Sequence, residues 1–501
     1  MTPQQSFGPL TTANGVDPDQ TPTNPKIWML VLPMLLVGSM SAALKAEQSR
    51  PNIIYMLTDD VSAEEFAIYG VHNEHATPNV DRLVREGTTF RTCWATPLCL
   101  PTRHALMAGK YGFRTKVFHN ALRPFHHEQN GLLPKYHTVL PEVLRRNGYA
   151  TYFSGKFHLS GNYRHMKDYG FEEYCLYADN RHQYPKTETF DGASEDERGV
   201  FAGRNSAYWH PAVNVNGHLL DTDENDFGPD IYLNHAIDFI KRKKDKPFFL
   251  YYANYLSHEQ PDYLAGHHLD EYIPVPERDR HGKKTGRKKA GSLKNGVEYL
   301  DYLLGRLLKT LDEKGLRENT YIIFTGDNAT VRKGKGSLSE QGVLVPLVVR
   351  GPGVKAGVVS GALTDITDSY PTVLEMAGIA MPANEVFDGT SFLPVLEGKK
   401  AKTRDWIFSQ LTLDRIIRDE RWYLDKDGRL FDCGNSRNHK VKKYKNVTNS
   451  KAPEVLAARQ RFEKLLEQLP GPDPVKDKFI IDRYTKYWAA LQKEWKEKGY
   501  K

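Results

Sequence analysis

Four short apolar runs punctuate the chain, and none of them alternates with polar residues. They are Pro51-Asn-Ile-Ile-Tyr-Met-Leu57, Tyr149-Ala-Thr-Tyr-Phe153, Pro247-Phe-Phe-Leu-Tyr-Tyr-Ala253 and Tyr321-Ile-Ile-Phe324. Unbroken runs of this length predict strands buried on both faces, as in a parallel sheet covered by helices. Helical patterns lie between them. Thr77 to Gly87 has Thr77 as N-cap, Pro78 in the first turn, and Val80, Leu83 and Val84 on one face. Further helices are predicted over 138–147, 229–244, 294–313 and 367–378, the second-to-last stopped by Gly315. From about Arg404 the pattern changes to short strands at 406–408, 414–418, 421–424 and 429–431, with a turn at Lys426-Asp-Gly428. Two helices follow, near Pro453–Gln468 and Asp477–Lys498. The prediction is an α/β fold over 50–400: a large mixed, mostly parallel sheet sandwiched by helices. A small C-terminal antiparallel-sheet subdomain of α+β character would occupy 401–501.

Each apolar run ends in chemistry. Asp59 and Asp60 follow the first, Lys156 and His158 the second, His258 the third, and Asp327 and Asn328 the fourth. Ligands of open α/β sheets bind at the carboxyl ends of the strands, where the strand order reverses. Two adjacent acids at the end of a buried strand need a cation or solvent, unless one of them merely caps a helix.

The N-terminal 25 residues, rich in Pro, Thr, Gln and Asn, are expected to be disordered. Ile27–Leu44 carries no charge and ends in the small residues Ser39-Met-Ser-Ala-Ala43. That resembles a secretory signal peptide over 26–46, with a membrane anchor as its rival. The expectation is an exported protein, periplasmic or secreted, without stable membrane insertion after cleavage. Four cysteines (Cys93, Cys99, Cys175 and Cys433) make a weak disulfide framework, so the core must carry stability. The formal net charge of +7 comes with no zinc-finger, helix-turn-helix or RNA-module signature, and no nucleic-acid partner is expected. The basic stretch Arg278 to Lys289 is either a solvated loop or a contact for an anionic substrate chain.

The most informative stretch is Pro97-Leu-Cys-Leu-Pro-Thr-Arg-His-Ala-Leu-Met-Ala-Gly109. Pro101 suits the first turn of a helix, with Cys99 just outside it, where the N-terminal N–H groups favour an anion. Arg103 adds a planar cation that can fork onto an oxyanion. Read physically, this is a nucleophile beside an anion cradle, or else a buried structural cysteine at a helix start.

The Cys-x-Pro-x-Arg spacing also resembles the signature of the formylglycine-dependent sulfatases, arylsulfatase-like members of the alkaline-phosphatase superfamily. The likeness extends over about 51–400. Thr77-Pro-Asn-Val-Asp81 resembles a helix of that family. Gly155-Lys-Phe-His-Leu159 resembles G-K-W-H-L, with Phe157 for tryptophan. His258 resembles the histidine of P-H-x-P, although Ser257 precedes it. Thr325-Gly-Asp-Asn-Ala329 resembles T-S-D-N-G. Lys335-Gly-Ser-Leu-Ser-Glu340 resembles K-G-T-x-x-E, after which Gln341 and Leu344 depart from a glycine and an arginine. Thr367–Gly378 resembles a further helix.

The resemblance implies hydrolysis of sulfate monoesters, here on a sulfated carbohydrate. Cys99 would be converted to 3-oxoalanine (formylglycine) by a formylglycine-generating or an anaerobic sulfatase-maturing enzyme. Asp59, Asp60, Asp327, Asn328 and the converted Cys99 would hold one metal ion. These hard oxygen donors favour Ca²⁺, then Mg²⁺, over zinc. Arg103, Lys156 and Lys335 would surround the sulfonyl group, His158 would act as base, and His258 or Lys335 would protonate the leaving group. The alternatives are a phosphonate or phosphodiester hydrolase on the same fold and a non-catalytic relative that binds sulfated glycans.

Overall fold

The computed structural model describes residues 50–70, 75–120, 133–161, 163–177, 208–257, 272–331, 333–434 and 444–471, with scattered positions between 473 and 486. The apolar segment at 26–46, His258 and most of the predicted helix Asp477–Lys498 lie outside these residues.

The four apolar runs become β1 (Asn52–Thr58), β3 (Ala150–Gly155), β7 (Phe248–Asn254) and β10 (Thr320–Gly326). Every residue of the four is buried, which is why the sequence shows no alternation there. With β2 (Thr88–Trp94), β4 (Glu173–Tyr177), β5 (Val213–Val215), β6 (His218–Leu219), β11 (Leu347–Arg350) and β12 (Val358–Asp365) they form a ten-stranded sheet. Its order is β12-β2-β11-β10-β1-β7-β3-β4-β5-β6. The central strands β10, β1, β7, β3 and β4 are parallel, while β11 and β5 run against their neighbours. β1 lies in the middle. The chain leaves it for β2 on one side and then crosses to β3 on the other, so its carboxyl end stands at a topological switch point, where sheets of this kind bind ligands.

Successive side chains of β1 enter opposite cores, as the two-residue strand period requires. Ile54 and Met56 join Leu300, Leu303 and Leu304 of a long helix. Ile53, Tyr55 and Leu57 join Ala105, Leu106, Leu140 and Leu144 on the other face. The helices that use these residues are α1 (Pro78–Glu86), α2 (Cys99–Ala108), α3 (Leu140–Arg146), α4 (Gly228–Lys243) and α5 (Leu293–Glu313). Thr77 stands at the N-cap of α1, but its side chain makes no capping bond. Asp301 of α5 does that work from outside, accepting the backbone N–H groups of Asn79 (3.0 Å) and Val80 (2.8 Å). A cap of this kind contributes about 1 kcal/mol, and here it also locks two helices together. The close approach needs Gly305, since a Cβ there would lie 2.6 Å from the Asn79 amide.

The C-terminal sheet is fully antiparallel: β13 (Ile407–Leu411), β14 (Asp414–Arg418), β15 (Trp422–Leu424), β16 (Leu430–Asp432) and β17 (Lys445–Asn446). It packs Ile417, Leu424 and Leu430 against Val455, Ala458 and Phe462 of a helix at Pro453–Gln468. Two polar links tie it to the large sheet. Ser409 Oγ donates to the Ala95 carbonyl (2.8 Å), and Arg418 pairs with Glu340 with both side chains buried.

Candidate active site

The carboxyl ends of β1 and β10 are stitched to each other by backbone. Asp327 N–H donates to the Thr58 carbonyl (2.9 Å), and Asp59 N–H donates to the Asn254 carbonyl at the end of β7 (2.9 Å). Asp60 then turns with φ 58°, a left-handed conformation that aspartate tolerates better than most residues. That turn lets its N–H donate to Asp327 Oδ1 (3.2 Å). Asn328 Nδ2 donates to Asp60 Oδ1 (2.6 Å), while Asn328 Oδ1 is buried without a hydrogen-bond partner among the described residues.

Burial pushes the carboxyls of Asp60 and Asp327 up, the latter to about 7, with Asp59 adding to both and the nearby cations opposing. Those cations come from three other segments. Arg103 of α2 donates through Nε to Asp327 Oδ2 (3.0 Å), through Nη2 to Asp59 Oδ2 (3.3 Å) and through Nη1 to the Lys156 carbonyl (2.6 Å). Its side chain has no exposed surface, and the two carboxylates that face it offset the cost of burying its charge. Lys156 pairs with Asp59, and Lys335 with Asp60 (2.6 Å). For both lysines burial opposes the charge, and these carboxylates more than offset it.

Cys99 is the first residue of α2 rather than lying ahead of it, with Leu98 as N-cap and Pro101 in the first turn. Its Sγ accepts from Asn120 Nδ2 (3.4 Å) and Lys156 Nζ (3.7 Å). Burial pushes the thiol up, with Lys156 opposing. Ligand atoms of Asp59, Cys99 and Asp327 all lie within 4.8 Å of one another.

Lys156 reaches this position because Gly155 leaves β3 at φ 100°, where a Cβ would sit 2.1 Å from the Ala253 carbonyl. Phe157 turns inward onto Phe153 and Tyr169. His158, at φ 38°, is half-buried two residues beyond Lys156. The Lys335 loop is fastened to the Cys99 loop by Gly336 N–H donating to the Pro97 carbonyl (2.9 Å). Leu344, at the position of the family arginine, is buried and bridges to Trp94.

Asp59, Asp60, Cys99, Arg103, Lys156, Asp327, Asn328 and Lys335 therefore form one contact network. Sequence reasoning missed two polar residues at its edge. Asn120 holds both the Cys99 sulfur and, through Oδ1, the Leu100 N–H (3.1 Å). His104 is fixed between the Leu100 carbonyl (2.8 Å) and Ser160 Oγ (3.4 Å), and burial holds its pKa down to about 4, so it is neutral. The C-L-P-T-R-H run contained the signal for His104. Nothing local pointed to Asn120.

A strand switch point ringed by hard acids, a helix-start thiol and three cationic side chains suits the binding of an anionic ester. Residues 51–379 match the sequence profile of the Sulfatase family, and the chain belongs to that family of sulfuric ester hydrolases. N-acetylgalactosamine-6-sulfatase of Canis lupus familiaris is 31% identical over 407 residues, covering 75% of this chain and 71% of the relative. The crystal structure of Ps i-CgsB in complex with k-i-k-neocarrahexaose matches with TM-score 0.64 at 24% identity, over 83% of this chain and 92% of that one. The phosphonate monoester hydrolase of Agrobacterium radiobacter matches with TM-score 0.55 at 21% identity, over 84% and 95%. The last two share the fold, which alone does not choose between sulfate and phosphonate esters. No helix among the described residues is long and apolar enough to cross a membrane.

Proposed function

We propose that this enzyme hydrolyses sulfate monoesters of a sulfated carbohydrate, with Cys99 matured to 3-oxoalanine and one Ca²⁺ bound beside it. The observation that carries the reading is the convergence of Cys99, Asp59 and Asp327 on one buried point faced by Arg103, Lys156 and Lys335. The carbohydrate assignment draws on the N-acetylgalactosamine-6-sulfatase relative and on the oligosaccharide bound to Ps i-CgsB. Export, with removal of the segment at 26–46, belongs to the same reading, as does a separate enzyme that matures Cys99.

The donor set fits a hard dication. Asp59, Asp60 and Asp327 supply carboxylate oxygens, and the unpartnered Asn328 Oδ1 is an oxygen that a cation would satisfy. Several protein ligands favour Ca²⁺ over Mg²⁺, which keeps more of its waters. When bound, the ion polarises a sulfonyl oxygen and offsets charge that builds up during transfer. Three acids and three bases already balance in the described cluster, so a dication is best accommodated together with an anionic ester.

Once matured, Cys99 would supply a hydrated aldehyde: one hydroxyl would displace the sugar oxygen from sulfur, and loss of the proton from the other would release sulfate by C–O cleavage and restore the aldehyde. The remaining roles fall to the chain's own groups. Arg103 fixes Asp59 and Asp327 in place, and Lys156 and Lys335 stand where a sulfonyl group would need cations. His158 would take the proton of the second hydroxyl, and His258, or Lys335 in its place, would protonate the departing sugar oxygen.

Side-by-side assays test this reading. Purified protein is expected to release inorganic sulfate from sulfated sugars with kcat/KM well above its value on phosphodiesters or phosphonate monoesters. The reverse preference would replace the sulfatase reading with a phosphonate or phosphodiester hydrolase.

A further inference from the structure

A dense block of positive charge lies on one hairpin outside the site. Residues 278–289 hold seven Lys and Arg against the single Asp279, a local net charge of +6. They fold as a two-stranded hairpin, β8 (Val275–Arg278) with β9 (Lys284–Lys289), and every residue of β9 is exposed.

The base of the hairpin is rigid. Arg278 donates to Tyr299 Oη (2.9 Å) and Asp230 (2.5 Å), and Lys284 also pairs with Asp230 (3.3 Å). Arg287 is taken up by Glu277. Among the described residues no carboxylate pairs with Arg280, Lys283, Lys288 or Lys289. Lys288 is held 3.7 Å above the ring of Trp209, whose indole N–H donates to the Pro274 carbonyl (2.8 Å). Charged side chains do protect exposed edge strands, but one or two lysines suffice for that. Four cations without a paired carboxylate on an anchored ribbon exceed it.

The hairpin is connected to the site by a short chain of contacts. Asp59 bonds Asn254 through backbone, the next carbonyl, Tyr255, accepts from Tyr208 Oη (2.8 Å), and Tyr208 precedes Trp209. β9 offers ammonium, guanidinium and hydroxyl groups and no aromatic face. Single-stranded nucleic acid is gripped largely by stacking on aromatic rings, whereas a sulfated polysaccharide presents charges and hydroxyls.

We propose that the β8–β9 hairpin binds the anionic chain of a sulfated polysaccharide, engaging sulfate groups beyond the one hydrolysed through Arg280, Lys283, Lys288 and Lys289. The proposal rests on the sugar-sulfatase reading and extends it from a single ester to a polymeric substrate.

The test is a full-length K283Q/K288Q/K289Q variant, assayed for binding of fluorescent dextran sulfate and for hydrolysis of 4-nitrophenyl sulfate. Dextran sulfate is expected to bind about tenfold more weakly, with a shallower salt dependence, while nitrophenyl sulfate turnover stays within about twofold of wild type. The K283R/K288R/K289R variant should retain binding. A single Lys288→Gln change, expected at about twofold, keeps the test available if the triple variant does not fold. Unchanged dextran sulfate binding in the Gln variants would overturn the proposal, as would tighter binding of single-stranded RNA than of dextran sulfate by wild type. Failure of the sulfatase reading would appear separately, as absent nitrophenyl sulfate turnover in wild type, and the binding result would still decide the hairpin.

Discussion

Cys99→Ala is expected to lower kcat on sulfate esters by about 10⁴- to 10⁶-fold, the range over which enzymes lose activity when a covalent nucleophile is removed. The side chain is buried at the first residue of α2, where its sulfur accepts from Asn120 and Lys156 among the described residues. Alanine therefore removes the reacting atom with little disturbance of the fold, and the thermal midpoint should move by no more than a few degrees. Cys99→Ser sharpens the result. A serine hydroxyl can attack sulfur once but lacks the second hydroxyl needed to expel sulfate, so a single burst followed by arrest is expected. The measurement is sulfate release over time at enzyme concentrations near that of substrate. Steady turnover by the alanine variant would remove Cys99 from the chemistry.

Asp327→Asn is the second large effect. The Asp327 carboxylate accepts from Arg103 Nε (3.0 Å) and from the Asp60 backbone N–H (3.2 Å), and it faces Asp59 across the candidate metal position. Asparagine keeps the shape and removes one of the negative charges that would attract a dication. A fall in kcat of about 10²–10³-fold is expected, the scale of losing one electrostatic contact to the transition state. Metal analysis of the purified variant should find well under one equivalent of Ca²⁺. A second readout does not depend on turnover. Chelation should lower the melting temperature of wild type, because a ligand that binds only the folded state stabilises it, and should leave the variant nearly unmoved. Full metal content with full activity in the variant would refute this assignment of ligands.

How much of this was legible follows from the physics of each element. The central strands were read correctly because burial on both faces removes polar positions, and composition alone then marks them. The strand ends were legible for the same reason, since Asp59, Lys156 and Asp327 stand where an apolar run abruptly meets ionisable residues. The cap of α1 was not legible. Local chemistry pointed to Thr77, but the N–H groups are satisfied by Asp301, more than two hundred residues away and invisible to any local pattern. Asn120 was missed for a like reason: it meets Cys99 only through a loop return that no period describes. The buried Arg418–Glu340 pair, which ties the C-terminal sheet to the segment after Lys335, joins two residues that each look like surface charges in sequence. Cys99 was placed one position too far from its helix, an offset that helix-end patterns do not resolve.

In the proposed mechanism Cys99 is a precursor and not itself the nucleophile. Mass spectrometry of the tryptic peptide Thr92–Arg103, from active protein made alongside a maturing enzyme, tests it most directly. The account predicts that Cys99 has lost one sulfur and two hydrogens and gained one oxygen, leaving an aldehyde that reacts with a hydrazide, while Cys93 stays a thiol. An intact Cys99 thiol in a preparation with full sulfatase activity would contradict it.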